Sequence, residues 1–174
     1  FTYSHQAACE WFGQSIEAVP VSTISTAFEA VERGDAHYGM VPLENSTDGR
    51  VNDALECLSK STVQICAEAP LRIRHCLWGA GRQSELTRVL SKPQALSQCR
   101  NWLSKHLPDA ELIPVGSTAE AARLAAAEPD AGAVASRQAG THYGLNLLAS
   151  DIQDNAENIT RFAVIASEPG EKTG

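Results

Sequence analysis

Short apolar runs alternate along this chain with helix-forming stretches that open on a cap and close on glycine, and this alternation restricts the fold more than any other feature. The runs lie over 16–21, 37–43, 63–71, 87–90, 112–115, 131–135 and 162–166. Between them, Ser4 is a reasonable cap for a first helix that Gly13 stops, and Thr26-x-x-Glu29 is a capping box for a helix over 26–33 that ends at Gly34. Further helices are expected over 51–58, over 94–105 behind Ser91-Lys92-Pro93, and from the capping box Ser117-x-x-Glu120 to about 127. A short one passes through Gln138 and Ala139, before a turn at Tyr143-Gly144. Strands that alternate with helices pair in parallel through right-handed crossovers, so the expected class is α/β.

One stretch echoes another. Val19-Pro20-Val21, a capping box, a helix, Asp35-Ala36, a strand and a polar loop are matched by Ile113-Pro114-Val115, a capping box, a helix, Asp130-Ala131, a strand and Ser136. Two α/β lobes of like plan are therefore expected, with polar strand-end loops facing a cleft between them.

Composition narrows the function. Hydrophobic residues make up 43% and charged residues 20% of the 174, with no biased tract, as in an ordinary enzyme or binding domain. A formal net charge of -7 without basic clusters argues against nucleic-acid and acidic-membrane partners, and no run is long enough to span a bilayer. Cys9, Cys57, Cys66, Cys76 and Cys99 are odd in number, scattered and never paired as Cys-x-x-Cys, so reduced, mostly buried thiols are expected and no zinc site. The five histidines also lack ligand spacing, and no signal peptide is visible, which makes the cytoplasm the default location.

Two polar segments invite chemistry. Glu44-Asn45-Ser46-Thr47-Asp48-Gly49 stands between a strand and a helix, where backbone N–H groups and a helix dipole can seat a carboxylate or phosphate; the same pattern also serves as a plain turn and cap. Thr160-Arg161-Phe162 places a hydroxyl and a guanidinium at the entrance of the last apolar run. Taken alone, that tripeptide also reads as a salt-bridged surface arginine beside an ordinary β-former.

Five pieces in order decide between these readings: Thr2-Tyr-Ser4-His-Gln6-Ala-Ala; Tyr38-Gly-Met-Val-Pro-Leu-Glu44-Asn45-Ser46 with Gly49; Ser91-x-Pro-Gln94-Ala-Leu-x-Gln98-Cys99; Tyr143-Gly-Leu; and Ile152-Gln-Asp-Asn with Asn158-x-Thr160-Arg161-Phe162. In these the chain resembles the catalytic domain of prephenate dehydratase over essentially its whole length. The resemblance implies two α/β lobes like those of type II periplasmic binding proteins, residues 1–72 with 150–174 forming the first and 73–149 the second. It departs from the family at Phe1, where a glycine is common and a strand usually precedes. Family members often continue into a phenylalanine-binding regulatory domain near Lys172-Thr173; the chain as given stops at Gly174, and feedback inhibition is not expected of it.

The resemblance implies decarboxylative dehydration of prephenate to phenylpyruvate, water and carbon dioxide, for phenylalanine biosynthesis, by a homodimer or higher homo-oligomer with no cofactor and no metal. Thr160 is then expected to serve the leaving hydroxyl and Arg161 to clamp a carboxylate. Asn45, Ser46, Thr47, Ser91, Gln98, Thr2 and Ser4 orient the substrate. Glu44 holds its loop, and Phe162 packs beside the substrate. Three alternatives stay open: the amino analogue arogenate as substrate, a relative that removes carbon dioxide without aromatising the ring, and a small-acid binding module of the same fold that performs no chemistry.

Overall fold

Helix α1, Tyr3–Phe12, opens the chain, so Ser4 sits inside its first turn rather than capping it; Gly13, at φ 90°, ends it. The expected strand over 16–21 does not form. Val19 and Val21 are 67% and 42% exposed, Pro20 lacks an N–H, and a strand with no neighbour to bury against has nothing to hold it. Helix α2, Ile24–Glu32, starts earlier than the capping box predicts. Thr23, in extended conformation, caps it by accepting from the Thr26 amide.

Strand β1, Gly39–Asn45, turns back into the two-residue strand β2, Gly49–Arg50, before helix α3, Asn52–Lys60. The polar loop is thus a hairpin, and Gly49 supplies the positive φ of 83° that its turn needs. Strand β3, Gln64–Arg72, follows, then β4, Cys76–Gly79, a single 3-10 turn at Gln83–Glu85 and β5, Arg88–Ser91.

Where one helix is expected over 94–105 there are two, α4, Pro93–Gln98, and α5, Arg100–His106, broken at Cys99. In an unbroken helix the Gln98 carbonyl would accept from the Trp102 amide. Instead it accepts from Asp154 N at 2.7 Å, and the Asp154 carboxylate takes the amides of Asn101 and Trp102. A distant side chain has replaced two bonds of the helix ladder.

Strand β6, Glu111–Pro114, helix α6, Thr118–Ala125, and strand β7, Ala131–Ala135, follow as expected. Ser117 caps α6 by accepting from Glu120 N, but the Glu120 carboxylate reaches Gly116 N, so the capping box is only half made. Helix α7, Arg137–His142, capped by Ser136, strand β8, Asn146–Ala149, and the eight-residue strand β9, Ile159–Ala166, complete the chain.

The computed structural model describes residues 2–167. They form two compact units, one of the residues up to Tyr3 with Ile73–Ala156, the other of Ser4–Arg72 with the residues from Glu157 on. In the second unit the sheet runs β2-β1-β9-β3 and every pairing is antiparallel, against the expectation of parallel crossovers. The cause is β9, which arrives from the far end of the sequence to lie between β1 and β3. Its Ala163 and Ile165 pack with Ala27, Phe28 and Val31 of α2 and with Val41 of β1.

The other unit has a five-stranded sheet in the order β6-β5-β7-β4-β8. Here β6, β5 and β7 pair in parallel as expected, and β4 runs antiparallel to both β7 and β8. The echo between the halves therefore survives as a helix followed by a strand, and not as a shared sheet. One face of this sheet packs on α6 through Ala121, Ala122 and Ala125, the other on α4 and α5 through Ala95, Leu96 and Leu103. Small residues bring helices close: a Cβ added at Gly140 would fall 2.0 Å from Cδ2 of the buried Trp78. Gly140→Ala is expected to lower stability by about 3 kcal/mol, the upper part of the usual overpacking range, measured by urea unfolding.

Candidate functional site

Register places the candidate hydroxyl. Along β1 and β9 the pairs run Pro42 with Phe162, then Glu44 with Arg161 and Asn45 with Thr160, so Leu43 is an extra residue, a bulge. Without it Glu44 would face Thr160. Side chains alternate along a strand, and β9 accordingly buries Thr160 and Phe162 while exposing Arg161 between them.

Asn45, 6% exposed, donates from Nδ2 to Thr160 Oγ1 at 2.8 Å and to Asn158 Oδ1 at 2.8 Å. Its Oδ1 accepts from the amides of Thr47 and Asp48, closing the hairpin turn. Both hydrogens and both lone pairs of the amide are thereby used, so its orientation is fixed. Because Oγ1 of Thr160 accepts from Asn45, the hydroxyl's own hydrogen must point away from Asn45. Asn158, 1% exposed, is a partner the sequence reading left out. Its place two residues before Thr160, hence on the same strand face, was the available signal.

The loop itself does not offer the expected anion seat. Ser46 N donates to Ile159 O, and the Thr47 and Asp48 amides are held by Asn45. The Ser46 hydroxyl donates to Glu157 O and accepts from Ile159 N, stitching the hairpin to the start of β9. Ser46 is thus a structural clasp. Thr47 is exposed at the turn, and Ser4 lies half-buried in α1.

Arg161 faces away from Thr160. Its Nη1 lies 3.2 Å from Glu44 Oε2 and its Nη2 2.5 Å from Glu68 Oε2, so the guanidinium ties β1 and β3 across β9, and these carboxylates hold its pKa up, Glu68 more than Glu44. Both ends of its fork hold carboxylates of its own chain. Glu44 is paired, as a carboxylate in that loop had to be. Phe162, 2% exposed, is a core residue.

In the unit containing Ile73–Ala156, Ser91 ends β5 fully buried, its hydroxyl donating to Val134 O at 2.6 Å, so it can only accept from a ligand. Gln98, 9% exposed, ends α4 with Oε1 2.8 Å from Nε2 of His75. Thr2 is exposed ahead of α1. Burial pushes the Cys76 thiol up and the Cys99 thiol well above its usual range, which leaves both protonated at neutral pH and poor nucleophiles. Among the described residues no group of three or more His, Cys, Asp or Glu is placed to hold a metal ion, and no helix is long and apolar enough to cross a membrane.

A family model described as prephenate dehydratase matches residues 1–170. The chain belongs to the prephenate dehydratase family. It is 44% identical to a bifunctional chorismate mutase/prephenate dehydratase of Aquifex aeolicus over 99% of this chain and 48% of that protein, and 44% identical to arogenate dehydratase 2 of Petunia hybrida over 96% of this chain and 43% of that protein. It thus spans about half the length of the curated relatives it matches. A solved prephenate dehydratase from Arthrobacter aurescens, in complex with L-Phe, superposes with a TM-score of 0.89 at 32% identity, covering 97% of this chain and 58% of that one. A periplasmic substrate-binding protein from Coxiella burnetii, 13% identical with a TM-score of 0.51 over 95% of this chain and 78% of that one, shares the fold alone.

Two outcomes follow for this prephenate dehydratase family chain. Asn45→Ala removes four hydrogen bonds and is expected to lower stability by about 3 kcal/mol in urea unfolding. Thiols of the unfolded chain ionise near about pH 8.5 while folded Cys99 stays protonated and folded Cys76 holds its proton longer than a free thiol, so above that pH the folded state binds more protons and stability falls as pH rises. Urea unfolding between pH 8 and 10 checks this, and Cys99→Ala is expected to flatten the slope.

Proposed function

We propose that the chain carries the dehydratase activity of its family, converting prephenate to phenylpyruvate with loss of carbon dioxide and water. The observation that carries the reading is the buried Thr160 hydroxyl, held by Asn45 so that its hydrogen is directed elsewhere. In prephenate the ring carboxylate leaves as carbon dioxide, its bonding electrons move through the ring, and the C–O bond at the opposite carbon breaks. Aromatisation drives the step. The departing hydroxyl needs a hydrogen-bond donor as charge develops on it and becomes water on taking up a proton.

Thr160 supplies that donor. An alcohol is a weak acid in water, so its value lies in being oriented beforehand in a dry setting. Asn45 and Asn158 orient it, and Arg161, with Glu44 and Glu68, holds the three strands whose register sets the cluster. Gln98, Ser91 and Thr2 keep the substrate-orienting roles that the family resemblance gives them. The same resemblance supports a cytoplasmic homo-oligomer working in aromatic amino-acid biosynthesis.

A second reading has its own support, because relatives of equal identity carry the name arogenate dehydratase. Arogenate differs from prephenate in an amino group, and a competition of the two substrates, read by phenylpyruvate against phenylalanine formation, separates the readings. For the main one, Thr160→Ala is expected to fold normally and form phenylpyruvate at least about tenfold more slowly, a loss of about 1.4 kcal/mol or more. Undiminished turnover in the absorbance assay removes Thr160 from the chemistry.

A further inference from the structure

The segment Ile152-Gln153-Asp154 is joined to two others by its backbone and side chains. Ile152 N donates to His75 O at 2.9 Å, and His75 N donates to Gln153 Oε1 at 2.9 Å. Two residues on, Asp154 N holds Gln98 O, and the Asp154 carboxylate caps α5. The backbones bearing His75 and Gln98 are thus pinned to one short stretch of chain. Between them the side chains close the circuit, with His75 Nε2 2.8 Å from Gln98 Oε1.

The other face of the imidazole is equally engaged. His75 Nδ1 lies 2.9 Å from Tyr3 Oη, which itself lies 2.8 Å from Arg74 O. Gln98 Oε1 can only accept, so Nε2 of the neutral ring is its donor and Nδ1 is an acceptor; the phenol hydrogen is then shared between Nδ1 and Arg74 O. Burial pushes the Tyr3 phenol well above its usual range, so that hydrogen remains in place at neutral pH. The two rings meet edge to face, 5.5 Å apart, and His75 is 2% exposed. None of this is required to fill a core, where an apolar side chain would serve without the burden of satisfying two ring nitrogens.

We propose that His75 is the positioning residue for the Gln98 side-chain amide, with Tyr3 and the Ile152–Asp154 segment holding the ring that aims it. This rests on the reading of Gln98 as a substrate-orienting group. His75 does not itself touch substrate; it acts through Gln98, and an amide free to rotate would present oxygen and nitrogen indifferently to a ligand. The role accounts for Tyr3 and for the Ile152-Gln-Asp-Asn sequence, to which the chemistry at Thr160 assigns nothing.

A double-mutant cycle on prephenate turnover tests it. His75→Ala is expected to lower kcat about tenfold with KM within about threefold of wild type, and to cause no further loss in a Gln98→Ala background. Multiplicative losses with an unchanged fold by circular dichroism overturn the proposal, as does wild-type turnover in His75→Ala. Nuclear magnetic resonance of the Gln98 side-chain NH2 gives a readout independent of activity. In Tyr3→Phe, which removes only a hydroxyl, those signals are expected to shift and broaden, and unchanged signals overturn the proposal. If the wild-type protein forms no phenylpyruvate, the functional reading fails, while the resonance experiment still decides whether Tyr3 and His75 hold Gln98.

Discussion

One extra residue in β1 governs the arrangement at Thr160. In an antiparallel pair the residue numbers of partners sum to a constant, and Leu43 raises that constant by one between Pro42 and Glu44. Past that point Asn45 faces Thr160 and Glu44 faces Arg161. An amide therefore meets the hydroxyl in the buried layer and a carboxylate meets the guanidinium in the exposed one. A ladder without the bulge would set Glu44 beside Thr160 in a buried place, where an unpaired charge is costly.

Much of this was legible in the residues. The runs over 87–90, 112–115 and 131–135 became β5, β6 and β7 within a residue or two, because strands in a parallel array read as continuous apolar stretches. Thr160 and Asn45 were legible as polar groups in strand-end sequences. Their convergence was implied by the family resemblance alone, and their direct hydrogen bond was not legible, since a bulge leaves no mark on composition and pairing partners lie more than a hundred residues apart. Direction of pairing was hidden for the same reason: local alternation of helix and strand predicts parallel neighbours, and a strand inserted from the far terminus overrides it.

The helix break at Cys99 and the ion pairs of Arg161 teach one lesson from opposite sides. Nothing in the sequence over 94–105 argues against a single helix; the competing partner is a carboxylate at Asp154 that only the folded chain brings near. At Arg161 the residue type suits a ligand carboxylate, and its own protein supplies two. Side-chain chemistry states what a group can bind, and the fold decides which partners of its own chain it meets. Asn158 illustrates the converse, a residue quoted within a motif without a role of its own, whose buried side chain accepts from Asn45.

The position of β9 has a consequence in time. It is the last of the described strands to be made, yet it lies between β1 and β3, so until the whole of Ile73–Ala156 has been synthesised β1 has only the two-residue β2 beside it and β3 has no sheet partner. On the ribosome the unit built around residues 73–156 can collapse first, while the early strands wait with open edges. Contacts of such long sequence separation close slowly and leave unpaired edges exposed meanwhile. A nascent chain cut short before Asn158 would carry the hairpin at Asn45 without the two acceptors that its Nδ2 donates to.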